Sequence, residues 1–268
     1  MAQRDWGGYV ATMLLRSAAL ALLLASPALA AGPFDSSWSV SSKSRARLIA
    51  DDKGAGFEIA LAPGAITYWR DPGEAGVPPT FDFSGSQNLA HAEVKFPAPE
   101  RIEEPDGSVA FGYREGVVLP IRATPTDPAK PIRLVAKVDY AVCEKVCLPA
   151  KASAEISIGS AEASPFADDL ARARASVPET VPPAKLGAVV TATGAKAWRL
   201  CLSEAPRDLF AEAPVGFWIQ PKREGDGRCY DLALQQAPDG AKPPIDLRVT
   251  VEGDAGAVDT HLRLQAQE

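Results

Sequence analysis

The chain has 268 residues, a formal net charge of −6, 24 prolines, 21 glycines and four cysteines. This composition is typical of one or two globular domains rather than of a disordered or fibrous protein. No basic stretch is dense enough to indicate nucleic-acid binding, and the acidity serves solubility rather than pointing to a partner.

The N-terminus has the pattern of a secretory signal. Arg4 and Arg16 precede an apolar run over residues 18–25, and small residues follow. This pattern predicts a signal peptide over residues 1–30 with cleavage near Ala30. No apolar run approaches the roughly 20 residues of a membrane-spanning helix, so we expect a soluble, exported mature chain. A bacterial periplasm, where disulfides persist, fits this prediction.

Apolar residues alternate with polar ones in short runs beyond the signal. Such alternation, broken by Gly, Pro, Asp and Asn, predicts half-buried antiparallel strands. No helical pattern precedes residue 160, so we expect an all-β fold built on a β-sandwich, and a barrel shares the same pattern. The alternating positions are Phe57, Ile59, Leu61, Val117, Leu119, Ile121, Ile132, Leu134, Ala136, Val138, Tyr140, Ala154, Ile156 and Ile158.

The stretch from Gly64 to Thr80 departs from this alternation. Its Pro-Gly and Pro-Pro steps favour turns, whereas Tyr68 and Trp69 provide large side chains for packing. We expect a non-regular segment that covers the core, and a substrate-binding role is the alternative.

A change of pattern follows the first set of strands. Ser164 at an N-cap and Pro165 at the first helical position predict a short helix, and a proline-rich stretch comes next. We therefore predict a β-sandwich over residues 31–160, a short helix and linker over residues 161–185, and a smaller β domain over residues 186–268.

One cysteine pair belongs to the smaller domain. Cys201 and Cys229 both lie in predicted strands and enclose about 29 residues, a loop whose closure stabilises the fold by roughly 3.5 kcal/mol. A domain of this size has a marginal core, so a covalent cross-link helps. We predict a structural disulfide here, with a redox role as the alternative.

The other pair, Cys143 and Cys147, encloses only five residues, and its closure contributes about 2 kcal/mol. Stability is thus a weak reason for this bond. Cys143 shares the odd, more polar series of its strand with Lys137 and Asp139, which predicts an accessible side chain. We interpret the pair as a catalytic, exchangeable disulfide. An ordinary surface disulfide and a copper(I) site remain alternatives.

Other chemistry finds little support in the sequence. His91 and His261 are the only histidines and fall in different predicted domains, so neither a zinc site nor a Cys–His nucleophile is expected. No phosphate-binding glycine loop or dinucleotide fingerprint occurs. We predict no cofactor and no metal site.

Several segments together resemble a known family. Residues 34–158 resemble the N-terminal periplasmic domain of DsbD thiol:disulfide interchange proteins and of the suppressor-of-copper-sensitivity (ScsB-type) reductases. The resemblance implies an immunoglobulin-like sandwich in which Cys143 and Cys147 take electrons from a membrane-embedded partner and pass them to exported thiol proteins. The matching segments are Gly64 to Gly73, Val94 to Pro99, Tyr113 to Pro120 and Tyr140 to Ala150.

The sequence departs from the best-known members of that family in three respects. Three residues separate the cysteines instead of five, and the segment that matches the aromatic cap loop, Glu103 to Gly107, has no aromatic residue. The sequence also has neither the transmembrane nor the thioredoxin-like domain of full-length members. We therefore expect a DsbD/ScsB-type membrane protein or thioredoxin-like exported oxidoreductases as partners. Aromatic residues that can replace the cap are Tyr68, Trp69, Phe111 and Tyr140.

These observations favour a periplasmic thiol:disulfide relay, a redox protein of the protein-disulfide reductase kind. The alternative is a non-catalytic immunoglobulin-like adaptor or a copper(I)-handling module.

Overall fold

The structure is a computed structural model, and it describes residues 32–74, 76–104, 107–159 and 162–267. The predicted signal peptide and its cleavage point near Ala30 lie outside the described residues. Within the described ranges, no helix is both long and apolar enough to cross a membrane.

Eleven strands come before the first described α-helix. They are β1 (Ser39–Ser41), β2 (Ser44–Asp51), β3 (Gly54–Leu61), β4 (Ile66–Gly73), β5 (Thr80–Asp82), β6 (Leu89–Val94), β7 (Glu100–Glu103), β8 (Val109–Arg114), β9 (Gly116–Pro125), β10 (Ile132–Cys143) and β11 (Cys147–Ile158).

The helix α1 (Ala167–Ala175) follows, and a 3-10 helix (Pro183–Leu186) lies between the next two strands. The remaining strands are β12 (Glu179–Thr180), β13 (Val189–Gly194), β14 (Ala197–Cys201), β15 (Asp208–Glu212), β16 (Trp218–Glu224), β17 (Cys229–Gln236), β18 (Ile245–Gly253) and β19 (Gly256–Leu264).

The strands before α1 form two sheets. One has the order β1-β2-β3-β9-β6, and the other has the order β11-β10-β4-β8-β7 with β5 paired to β10. The alternating residues of β10 predicted to be apolar, such as Leu134, Val138 and Tyr140, are buried in the core that these sheets share. Burial of one side-chain series per strand is what holds two such sheets together.

The strands after α1 form two further sheets, β12-β19-β18-β15 and β13-β14-β17-β16. They enclose a separate core that includes Trp198, Leu232 and Val249. The all-β fold class, an immunoglobulin-like sandwich followed by a smaller β domain, is confirmed. The domain boundaries at residues 160 and 186 stay predictions.

Two predictions about local structure were wrong. The segment after Gly64 contains a regular strand, β4, because its β-branched and aromatic residues outweigh the turn-forming prolines that follow. The helix begins at Ala167 rather than at Pro165. The Ser164 hydroxyl accepts a hydrogen bond from the Phe166 backbone N–H and donates one to the Ala50 carbonyl, so it ties the chain to β2 instead of capping the helix.

The helix α1 is fastened to the first pair of sheets by a bidentate ion pair. The two terminal guanidinium nitrogens of Arg174 donate to Asp51, at 2.6 and 2.7 Å, and the Asp51 side chain is 3% exposed. Leu170, a residue of α1, is fully buried. The helix α1 therefore packs against the first pair of sheets.

Candidate functional site

The hairpin of β10 and β11 places Cys143 and Cys147 opposite each other. Cys143 ends β10, Cys147 begins β11, and the two form a register pair at the tip of a ladder that runs back to Ile132 and Ile158. A disulfide joins them across an exposed turn over residues 144–146. The same end of β10 also pairs with β4, so the disulfide lies where three strands meet.

The predicted exposure of Cys143 is wrong, although its predicted face is right. Cys143 lies on the sheet face turned away from the sandwich core, yet it is only 2% exposed. A small apolar cluster covers it, formed with Tyr68 and residues of β4, β7 and β8 such as Ile66, Ile102 and Ala110. Cys147 is exposed. The two sulfur-bearing residues therefore differ sharply in access.

The hydroxyl group of Tyr68 lies directly over the disulfide. Its oxygen is 2.8 Å from Cys143 Sγ and 3.3 Å from Cys147 Sγ. The sulfurs of a disulfide carry no proton, so the phenol is the donor, and its single proton is shared among the two sulfurs and the Glu104 carboxylate. Burial and the nearby Glu104 carboxylate, 3.5 Å from the hydroxyl, raise the pKa of Tyr68 to about 12. Tyr68 is therefore a protonated donor at neutral pH.

Gly76 lies flat against the Tyr68 ring. A Cβ atom at this glycine would lie 2.6 Å from two carbons of the ring, a distance that real side chains do not adopt. The absence of a side chain thus lets the segment after β4 pack on the ring. Gly76 and the burial of Tyr68 together hold the hydroxyl over the sulfurs.

An open cleft of about 380 Å³ leads to the disulfide. Tyr68, Glu104 and Ala141 line it together with the hairpin turn. Val77 and Val146, 59% and 68% exposed, also line this cleft and form an apolar rim at the disulfide.

One charge of the turn is neutralised from a neighbouring strand connection. The Lys43 ammonium lies 2.8 Å from a Glu144 carboxylate oxygen, and both side chains are partly exposed. The hydrogen bond and the charge of Lys43 hold the pKa of Glu144 below its usual value. The Lys43 charge therefore compensates the negative charge of Glu144 beside the disulfide.

Of the four aromatic residues considered as replacements for a cap, Tyr68 contacts the disulfide. The other three belong to the core on the opposite face of the sheet. Trp69 and Phe111 pack around Phe210, and the Tyr140 hydroxyl bonds to Ser44 Oγ. Strand alternation separates Tyr68 from Trp69, because successive side chains point to opposite faces.

The structure describes only part of the segment from Glu103 to Gly107, which matches the cap loop of the family. Pro105 and Asp106 lie outside the described residues, whereas Glu104 lines the cleft. Sequence reasoning missed Glu104, Gly76 and Val77 as site residues. The pairing of β4 with β8, and of β8 with β7, brings them to Cys143, and no local motif reveals this pairing.

The second disulfide joins Cys201 and Cys229, which are a register pair on β14 and β17. It therefore links two neighbouring strands of the last sheet. Its assignment as structural stays a prediction. Among the residues that the structure describes, no group of three or more His, Cys, Asp or Glu side chains is arranged to hold a metal ion.

The fold and the cleft define a β-sandwich protein that presents a partly accessible disulfide. Residues 39–156 match the family model described as "Thiol:disulfide interchange protein DsbD, N-terminal". This part of the chain is a DsbD N-terminal domain.

A solved structure shares the wider fold. The crystal structure of the N-terminal periplasmic domain of ScsB from Proteus mirabilis aligns with a TM-score of 0.66 and 21% identity, over 88% of this chain and 100% of that chain. The endo-fucoidan hydrolase MfFcnA9 of glycoside hydrolase family 107 aligns with a TM-score of only 0.19 and 11% identity, over 76% of this chain and 35% of that one. No match was found among curated proteins.

Proposed function

We propose that the protein is a periplasmic thiol:disulfide relay that passes reducing equivalents through Cys143 and Cys147. One observation carries the proposal: the disulfide lies in an open cleft with Cys147 exposed, Cys143 buried, and the Tyr68 hydroxyl in contact with both sulfurs. A disulfide that served stability alone would need neither unequal access nor a donor at its sulfurs.

The unequal access assigns the order of the steps. A partner thiolate attacks Cys147 Sγ, the bond to Cys143 breaks, and its electron pair leaves on Cys143 Sγ. The partner's second thiolate then attacks the partner sulfur of the mixed disulfide, and Cys147 leaves as a thiolate. The partner is oxidised to a disulfide, and the pair gains two electrons and, once protonated, two protons. In the reverse direction, Cys147 attacks a disulfide of an exported protein and Cys143 resolves the product.

Tyr68 supplies what the buried sulfur lacks. A thiolate on Cys143 is costly in an apolar cluster unless a hydrogen bond compensates its charge. The phenol lies within donating distance and keeps its proton at neutral pH, because its pKa is about 12. Tyr68 thus stabilises the leaving group in one direction and the resolving thiolate in the other.

The family match supports the choice of partners. The resemblance to DsbD N-terminal domains implies exchange with a DsbD/ScsB-type membrane protein and with thioredoxin-like exported oxidoreductases, and the similar domain of Proteus mirabilis ScsB is described as periplasmic. The predicted signal peptide supports the same compartment.

Mixed-disulfide trapping tests the proposal. Cys143→Ser and Cys147→Ser variants are activated at the remaining thiol with an aromatic disulfide reagent and mixed with thioredoxin that lacks its second active-site cysteine. We expect rapid formation of a mixed disulfide through Cys147 in Cys143→Ser, and slow formation through the buried Cys143 in Cys147→Ser. The Cys201→Ser/Cys229→Ser double variant is the control and keeps normal exchange.

A redox titration completes the test. The wild-type pair should be reduced by a thioredoxin-type couple, whose potential is about −270 mV. The proposal fails if the pair stays oxidised under these conditions and Cys143→Ser traps no partner.

A further inference from the structure

The strand β15, in the second pair of sheets, forms ion pairs with two strands of the first pair. The Arg70 guanidinium on β4 donates to both Glu212 carboxylate oxygens at 2.8 Å. On β7, Arg101 donates to Asp208 at 2.8 and 2.9 Å and to the Leu209 carbonyl at 3.1 Å. Arg70 and Glu212 are each only 15% exposed, so this ion pair is largely desolvated.

Between these points, Phe210 of β15 inserts into the core of the first pair of sheets. It is fully buried, and its ring centroid lies 5.0 Å from that of Phe111 and 5.8 Å from that of Trp69. Phe210 belongs to the same apolar cluster as the residues of β10. The strand β15 therefore supplies part of the layer on which β4 and β8 rest.

The two strands that form ion pairs with β15, β4 and β7, also lead to two side chains at the disulfide cleft. Tyr68 directly precedes Trp69 and Arg70 on β4, and Glu104 lies three residues after Arg101. Trp69 faces β15 while Tyr68 faces the disulfide, because side chains alternate along a strand. Contacts between β15 and β4 therefore bear on the backbone that carries the Tyr68 hydroxyl beside Cys143.

We propose that β15 is a positioning element of the disulfide cleft, so that the second pair of sheets is part of the exchange site. This inference rests on the proposed function. Phe210 and Glu212 act through Tyr68 and touch neither sulfur in the contacts described. A stabilising interface without this role would hold the two pairs of sheets together and leave the reactivity of the disulfide unchanged.

A double-mutant cycle between β15 and Tyr68 separates these two roles. Phe210→Ala and Glu212→Gln are each made in the wild-type chain and in the Tyr68→Phe background, and the rate of disulfide reduction by dithiothreitol is measured from pH 6 to pH 9. A small reductant is used because it needs no protein docking, so the result stands even if no protein partner is trapped.

We expect each variant to slow reduction by about fivefold or more when Tyr68 is present, since small displacements of a reacting group have large rate effects. In the Tyr68→Phe background the same changes should alter the rate by less than about twofold, because residues that act as a unit are not additive. Phe210→Leu, which keeps an apolar side chain, should restore most of the rate.

Asp51→Asn is the matched control, since it breaks a bidentate ion pair with Arg174 away from the cleft. It should lower stability to urea and leave the rate within about twofold of the wild type. The inference is overturned if Glu212→Gln, with a cooperative unfolding transition, reduces at the wild-type rate or faster. It is equally overturned if the rate loss is the same in both Tyr68 backgrounds.

Discussion

The Tyr68 hydroxyl oxygen lies 3.5 Å from a Glu104 carboxylate oxygen and 2.8 Å from Cys143 Sγ. Burial and this negative charge both favour the neutral phenol, so the pKa of Tyr68 is about 12 against 10.0 for a free tyrosine. The residue thus remains a hydrogen-bond donor throughout the pH range in which thiols ionise.

Glu104→Gln should lower the pKa of Tyr68. We expect this pKa to stay above 10, because burial contributes more than Glu104 to raising it. NMR titration of 13Cζ-labelled tyrosine measures this change. The neighbouring Glu103→Gln serves as the control and should leave the Tyr68 titration in place. In the wild type, the contribution of Tyr68 to folding is complete below pH 10 and is lost as pH rises toward 12, because the unfolded chain gives up the proton first. An unchanged Tyr68 titration in Glu104→Gln would contradict the assignment of this carboxylate.

Tyr68→Phe should slow the reduction of the disulfide by roughly tenfold or more. A hydrogen bond to a charged group contributes about 1.5–3 kcal/mol, and the Cys143 thiolate loses such a bond in this variant. The pKa of the Cys143 thiol should rise for the same reason, which alkylation rates against pH measure. Tyr140→Phe removes a hydroxyl bound to Ser44 in the core and should leave the rate unchanged. Equal rates in Tyr68→Phe and the wild type would rule out this role.

The sequence predicted the face of the sheet that carries the disulfide but not its surroundings. Alternation along β10 correctly separated Val142, in the core, from Cys143 on the opposite face. Exposure of Cys143 could not follow from one strand, because the covering residues come from β4, β7 and β8. The pairing of these strands is a long-range property, and no local pattern specifies it.

The strand β4 shows why the site itself was harder to predict than the fold. Its residues Ile66 to Trp69 favour a strand, yet Pro72 and Gly73 close behind suggested a loop. Once β4 is a strand, Tyr68 and Trp69 must face opposite sides, and one of them reaches the disulfide. The alternation of side chains along a strand places these two residues on opposite faces of the sheet. The pairing of β4 with β10 decides which of the two faces also carries Cys143.

Val77→Asn should weaken exchange with proteins and spare exchange with small thiols. Val77 is 59% exposed at the rim of the cleft, where a protein partner would bury it. Loss of one buried valine costs about 1.5 kcal/mol, which corresponds to roughly tenfold in the rate of reduction by thioredoxin. Reduction by dithiothreitol should stay within about twofold. Val189→Asn, 61% exposed in the second pair of sheets, is the matched control. A parallel loss with both reductants would place the effect on the disulfide rather than on docking.

Asp51→Asn should destabilise the protein in a pH-dependent manner. Burial alone would raise the pKa of Asp51, but the Arg174 hydrogen bonds and charge and the Lys53 backbone N–H outweigh it and hold the pKa below its ordinary value. A depressed pKa contributes stability that is complete above about pH 4 and is lost as pH falls through the folded-state value.

Urea unfolding at pH 7, 5 and 3 measures this contribution. We expect Asp51→Asn to lower the free energy of unfolding by about 1–3 kcal/mol at pH 7 and by less at pH 3. Asp246→Asn, which removes an exposed carboxylate 3.8 Å from Arg263, should have little effect at any of these pH values. A difference that does not shrink at pH 3 would show that the Asp51 charge is not its source.

The Cys201→Ser/Cys229→Ser variant should lose stability and keep its exchange activity. This disulfide joins neighbouring strands β14 and β17 and closes a loop with a sequence separation of 28, for which chain entropy predicts about 3.5 kcal/mol. Thermal unfolding should therefore begin at a lower temperature, while the rate of reduction of Cys143–Cys147 by dithiothreitol stays within about twofold of the wild type. The comparison is Cys143→Ser/Cys147→Ser, which removes the other pair. Because that disulfide closes only a five-residue loop, it removes little conformational entropy from the unfolded chain. Stability should therefore fall less in this variant, while exchange is lost. If the two double variants lose equal stability, or if Cys201→Ser/Cys229→Ser also abolishes exchange, the division of the four cysteines into a structural and a redox pair is wrong.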